Sequence, residues 1–169
     1  MRILLCLSLI VLFIGNPAQG QNEKFKALFI YNFTKYIDWP SDYLNNDFVI
    51  GVYGSSPILT DLELIASKRK VGVQTIIVQQ FNSVNDIGKC HVLYIPPNKS
   101  SSLADVIAKI GNEPTLIISD APGLAHKGAS INYVLRGTQQ DFEINKRKIE
   151  ASHLKINSAL LSLGTVINK

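Results

Sequence analysis

The chain is short of the residues that most often announce chemistry. Its histidines are only three, His91, His126 and His153. They are scattered, and none has a Cys or His partner at metal-ligand spacing, so each reads as a structural or surface histidine rather than a ligand. No G-x-S-x-G, H-E-x-x-H, C-x-x-C or Walker A sequence occurs, which removes the common hydrolase elbows, zinc proteases, thiol oxidoreductases and P-loop enzymes. Gly51 and Gly54 flank the end of a strand pattern without completing G-x-G-x-x-G, and read as strand and turn glycines. Charged residues make up only 18% and the formal net charge is +4, too small an excess to argue for nucleic acid. The clusters Lys68-Arg69-Lys70 and Lys146-Arg147-Lys148 read as solvated faces. Cysteine is equally scarce. Of Cys6 and Cys90, only the second lies beyond an apolar N-terminal run. Once that run is removed no intrachain disulfide is possible, and packing must hold the domain. Cys90 opens the apolar stretch Cys90–Ile95 and reads as a buried inert thiol, with an intermolecular bridge as the alternative.

What is present begins with an export pattern. Met1-Arg2 precede an apolar run from Ile3 to Ile14, followed by Gly15-Asn16-Pro17-Ala18-Gln19-Gly20. A basic tip, a short apolar stretch and small residues at positions 18 and 20 predict a secretory signal over 1–20, cleaved before Gln21. The run falls short of the roughly 20 apolar residues that a membrane span needs, and no later stretch reaches that length. Residues 21–169 are then expected to form one soluble domain outside the cytoplasm.

Along that domain, Phe25, Leu28, Phe29, Asn32, Phe33, Tyr36 and Ile37 fall at steps of three and four. They predict a helix from Glu23 with this stripe inward, ended by Pro40. Phe48–Gly54 reads as a strand, and Ser56-Pro57 as the start of a helix burying Ile58, Leu62 and Ile65. Val71–Val78 and Cys90–Ile95 read as the next strands. Ser102 with Asp105 predicts a capping box on a helix carrying Leu103, Val106, Ile107 and Ile110, stopped by Gly111. Thr115–Ser119 is apolar enough for a central strand. Ile131–Leu135 and Asp141–Ile144 alternate across a turn, predicting an antiparallel hairpin. Ile156, Ala159, Leu160, Leu163, Val166 and Ile167 suggest a last helix, frayed at its basic start and open to interruption at His153–Lys155. The fold class is α/β: a mainly parallel sheet of about six strands with a C-terminal antiparallel hairpin, flanked by helices.

In such sheets ligands gather beyond the carboxyl ends of the strands. Those ends supply Ser55 and Ser56, at a turn into a helix that favours an anion, and Ser119 and Asp120. The competing reading makes Ser56 a cap and Asp120 a turn residue. Catalysis would need a base or nucleophile pairing that is not visible, so no enzyme, metal or cofactor is read from these residues. On the first helix Tyr31 and Lys35 lie off the apolar stripe, and Asn32 lies within it. Trp39 either anchors the chain against the core or projects as an interface hot spot, and the adjoining Pro40 favours the anchor.

The segment Phe25-Lys26-Ala27-Leu28-Phe29-Ile30-Tyr31-Asn32-Phe33-Thr34-Lys35-Tyr36-Ile37-Asp38-Trp39-Pro40 resembles the opening signature of the YfiR-like periplasmic family. Phe48–Gly54, Cys90–Ile95, Ile117-Ile118-Ser119-Asp120 and Asp141–Asn145 resemble its later strands, and Ser158-Ala159-Leu160-Leu161 its final motif. The resemblance implies a periplasmic regulator that binds the external domain of an inner-membrane diguanylate cyclase. It would hold down cyclic-di-GMP synthesis, exopolysaccharide and biofilm formation, and act as a homodimer. Lone Cys90 departs from paired-cysteine redox control, and Ala159 stands where the motif has a basic residue. Two functions follow. The first is control of a membrane signalling protein, a diguanylate cyclase or sensor kinase, through protein contact at Tyr31, Asn32, Lys35 and Trp39. The second is a periplasmic small-ligand receptor at Ser55, Ser56, Ser119 and Asp120.

Overall fold

The computed structural model describes residues 17–137 and 139–167. Most of the expected export signal, with Cys6, lies outside the described residues, and positions 17–20 open the first helix. In chain order the regular elements begin with α1 (Pro17–Phe33), β1 (Ile37–Asp38), β2 (Phe48–Tyr53), α2 (Ile58–Ala66), β3 (Lys70–Val71) and β4 (Gln74–Phe81). Then come β5 (Val92–Ile95), α3 (Leu103–Ile110), β6 (Leu116–Ser119), β7 (Ile131–Arg136) and β8 (Gln139–Ile144). The chain closes with α4 (Lys146–Ala151), β9 (Lys155–Ile156), α5 (Ser158–Leu161) and β10 (Thr165–Val166).

One sheet has eight strands in the order β10-β8-β7-β6-β5-β2-β4-β3. The run from β4 through β2, β5 and β6 to β7 is parallel, and β7–β8 is the antiparallel hairpin that the alternation predicts. The sequence suggests about six strands, and the structure adds short ones at both edges. Val71–Val78 divides, because Gly72 adopts φ 57° and turns Lys70–Val71 back antiparallel on β4. At the other edge β10 pairs parallel with β8.

Side chains alternate along the strands, so the sheet is buried on both faces. Phe48, Ile50, Val52, Val92, Tyr94, Leu116, Ile118, Ile131, Tyr133, Phe142 and Ile144 meet α1 and α2 in one core. Leu93, Ile95 and Ile117 meet α3 in the other, with Cys90 and Phe81. Gly51 in β2 makes room there: a Cβ would come within 2.7 Å of the Phe81 ring.

Three local expectations are corrected. The first helix ends at Phe33, not near Pro40. The Thr34 hydroxyl donates to the Tyr31 carbonyl at 2.7 Å, and the chain turns into β1, which pairs with β9. The α3 helix has no side-chain cap at Ser102, because a 3-10 turn over Pro97–Ser102 leads straight into it. The last helix does not form as one element. Its basic start is well held, since the Asn145 side chain accepts from Lys148 N at 2.9 Å. His153 then takes φ 56°, and pairing of β9 and β10 with distant strands overrides the local helical spacing.

Candidate functional site

The stripe that faces inward on α1 is not the aromatic one. Glu23, Lys26, Ala27, Ile30, Phe33 and Thr34 are buried, while Phe25 and Leu28 keep 39% and 48% of their surface exposed. Phe29 is half-buried. Both sets recur at steps of three and four, so periodicity alone cannot choose between them. The choice turns on a partner 94 residues away. Lys26 Nζ donates to Asp120 Oδ2 at 2.5 Å and to Glu23 Oε1 at 3.1 Å. A lysine is buried only when its charge is met, and here two carboxylates meet it.

Asp120 stands at the carboxyl end of β6, where the Tyr94 hydroxyl also donates to it at 2.9 Å. The Tyr133 hydroxyl donates to the Lys26 carbonyl at 2.8 Å. Burial, reinforced by the charge of Asp120, raises the pKa of both phenols well above the ordinary tyrosine range, so each stays a neutral donor. Neighbouring Ser119 donates to Asn132 Oδ1 at 2.7 Å, fully buried. This end of the sheet is a hydrogen-bonded network that ties α1 to β5, β6 and β7, with Asn132 Nδ2 left without a partner. Beside it lies a cleft of about 600 Å³, lined by Lys26, Asp120, Tyr133, Leu135, Arg136 and Glu143 among others.

Ser119 and Asp120 thus come together with Lys26, a residue that no local signal in the sequence singles out. Ser55 and Ser56 do not join them in the lining. Ser55 is exposed, its carbonyl accepting from Asn98 Nδ2 at 3.4 Å. Ser56 is buried with Oγ 3.5 Å from Ile58 N, as a residue next to the helix start would be. Tyr31, Asn32 and Lys35 do cluster. Lys35 Nζ donates to Asn32 Oδ1 at 2.9 Å and sits 4.7 Å from the Tyr31 ring centroid. Trp39 lies inside, 7% exposed, with its ring edge-on to Phe48 at 5.0 Å.

Outside this cluster α1 exposes two large apolar side chains, Phe25 and Leu28, beside Lys24. Phe25 and Phe29 have ring centroids 4.4 Å apart, and Phe29 reaches Phe142 at 5.8 Å. Next to them a smaller cleft of about 370 Å³ is lined by Phe29, Asn32, Lys35, Tyr36, Leu160 and Leu163. Leu163 is itself more than half exposed. An outward row of Phe25, Leu28 and Phe29, rimmed by Asn32 and Lys35, has the composition of an interaction surface.

Two further titratable groups, His91 and Cys90, are internal. His91 Nδ1 accepts from Val49 N at 3.0 Å, and Nε2 lies 2.8 Å from the Tyr43 carbonyl. The ring is therefore the neutral Nε2–H form. Burial lowers its pKa, and it stacks on Phe48 at 4.3 Å. Burial pushes the Cys90 thiol up to about 12, so it is not thiolate at neutral pH. Among the described residues no cluster of three His, Cys, Asp or Glu could hold a metal ion, and no helix is long and apolar enough to cross a membrane.

Comparison with known proteins agrees with the motifs at the start of the chain. A family model described as YfiR/HmsC-like matches residues 23–165, and the chain belongs to that family. No curated protein matches it in sequence.

Proposed function

From its place in the YfiR/HmsC-like family, we propose that this protein is a non-catalytic periplasmic regulator. It controls an inner-membrane signalling protein, a diguanylate cyclase or sensor kinase, by direct contact with that protein's periplasmic domain. The observation that carries the reading is the outward stripe of α1. Phe25 and Leu28 are large apolar side chains left in solvent on a helix whose other face buries a lysine. An arrangement that costs solubility is explained if a partner covers it. Tyr31, Asn32 and Lys35 supply the polar rim. Residues 1–20 serve as the export signal in this reading, and a homodimer is compatible with the same surface.

The test uses surface-immobilised periplasmic domains of the cyclases and sensor kinases of the same organism. One of them is expected to bind, and Leu28→Ser and Phe25→Ala are each expected to weaken that binding at least tenfold, about 1.4 kcal/mol. Binding that ignores both substitutions, or no binding to any such domain, overturns the reading.

A further inference from the structure

The upper end of β7 leaves a strand edge open. Strand β6 stops at Ser119, paired with Asn132, while β7 continues to Arg136. The chain after β6 leaves the sheet, so among the described residues no strand covers the last part of β7 on that side. The backbone alternation shows which groups are free. Asn145 N donates to the Ser130 carbonyl, and Ile167 N to the Ile144 carbonyl. Odd-numbered residues of β8 therefore turn their backbone toward β7, and even-numbered ones toward β10. In the antiparallel register Asn132 faces Glu143 and Val134 faces Asp141, so these are the hydrogen-bonded pairs. Leu135 then turns its N–H and C=O away from β8, toward the open side.

That open side is the 600 Å³ cleft, whose other lining includes Pro97, Ala121, Pro122 and Gly123. Its charges are unequal. Lys26 is matched by Glu23 and Asp120, and Arg136 Nε lies 2.6 Å from Asp141 Oδ2. Glu143, which also lines the cleft, has a buried carboxylate oxygen, Oε2, with no hydrogen-bond partner, and Nδ2 of Asn132, its register partner on β7, is bare as well. A buried acceptor left bare costs free energy that a donor would recover. The cleft therefore combines a trough floored by free strand backbone, an apolar wall and one unmatched negative charge.

We propose that this edge receives an extended basic segment of a partner polypeptide, which adds a strand beside β7 and places a lysine or arginine against Glu143. Main-chain bonds to Leu135 give such a segment its affinity, and the carboxylate gives it selectivity. A small amine could meet Glu143 but would make no use of the strand backbone, which is why a peptide is the better fit. The edge is separate from the outward stripe of α1. Failure here leaves the proposed regulatory contact standing, and failure there leaves this one standing.

The experiment pans phage-displayed random dodecapeptides against protein purified from cells expressing the full chain. Enriched peptides are expected to carry a lysine or arginine among β-branched residues. Their affinity should fall at least tenfold for Glu143→Gln and be lost for Leu135→Pro. The last change removes a free N–H without touching the β7–β8 ladder. Should Leu135→Pro misfold, peptides N-methylated at alternate residues serve against the unaltered protein: one methylation register abolishes binding and the other leaves it intact. The proposal is overturned by no enrichment, by peptides indifferent to Glu143→Gln, by binding insensitive to methylation in both registers, or by full competition from n-butylamine.

Discussion

The two long faces of α1 exchange the usual places of polar and apolar side chains. The inward face carries Glu23 and Lys26 with Ala27, Ile30 and Phe33, whereas the outward one carries Phe25 and Leu28. Hydropathy alone would turn the helix the other way. The difference shows that a specific partner can outweigh side-chain type. Lys26 meets Asp120 and Glu23, and small Ala27, fully buried, suits a close approach to the sheet. Polar groups here help to hold the fold together, and large apolar ones are left in solvent.

The largest expected effect breaks the inward face. Lys26→Met removes the cation from a buried cluster, leaving Glu23 without its lysine and Asp120 held by Tyr94 alone. The loss in unfolding free energy should be about 3–5 kcal/mol, the usual cost of stranding a buried charge. Adding Asp120→Asn should return at least about 1 kcal/mol, because the tyrosine keeps an acceptor and one uncompensated charge disappears. Urea denaturation of the single and double variants measures both. A Lys26→Met cost no larger than that of Leu28→Ser would reverse the roles assigned to the two faces.

The same contrast explains how far the sequence could be read. Strands β2, β5 and β6 were legible because a sheet covered on both faces needs continuous apolar runs, and the β7–β8 hairpin because its alternation is regular. Ser119 and Asp120 were legible as strand-end residues. The burial of Lys26 was not, since its partner lies far away in the chain and two stripes of equal period competed. Edge strands β3 and β10 are two residues long, below any periodic signal. The C-terminal stripe of Ile156, Leu160, Leu163 and Ile167 had the spacing of a helix. What breaks it is pairing of Ile156 with Ile37 and of Thr165 with Glu143, which spacing cannot encode.

A smaller effect extends the inward rule to His91. Its ring accepts a hydrogen bond from Val49 N, so protonation at Nδ1 must break that bond, and its folded pKa lies below the ordinary value. Between the folded value and about 6.5 the unfolded chain binds the extra proton, so stability rises with pH there. Stability should be fully present above the unfolded value and fall as pH drops below it, by at most about 1.4 kcal/mol per pH unit from this group. Below the folded value the contribution of His91 to the slope ends. Comparing thermal unfolding of the wild type and His91→Gln across about pH 4.5–8.5, two units to either side of the unperturbed value, isolates the difference. A flat difference would mean that His91 is not held neutral.

The smallest effect on stability belongs to the outward face, and it is the sharpest test of what that face is for. Leu28 is nearly half exposed, so Leu28→Ser removes only part of the roughly 1.5–3 kcal/mol that full burial of such a side chain contributes. A cost of about 1 kcal/mol or less is expected in urea denaturation. The folded free protein and the unfolded chain both leave much of this surface in water, so its removal scarcely changes their balance. Only a bound state, where a partner takes that surface out of water, can feel the full loss. A substitution that is nearly silent in folding yet severe in association would identify the stripe as a contact surface. One that unfolds the protein would instead make Leu28 part of the core, and the two faces of α1 would no longer differ in kind.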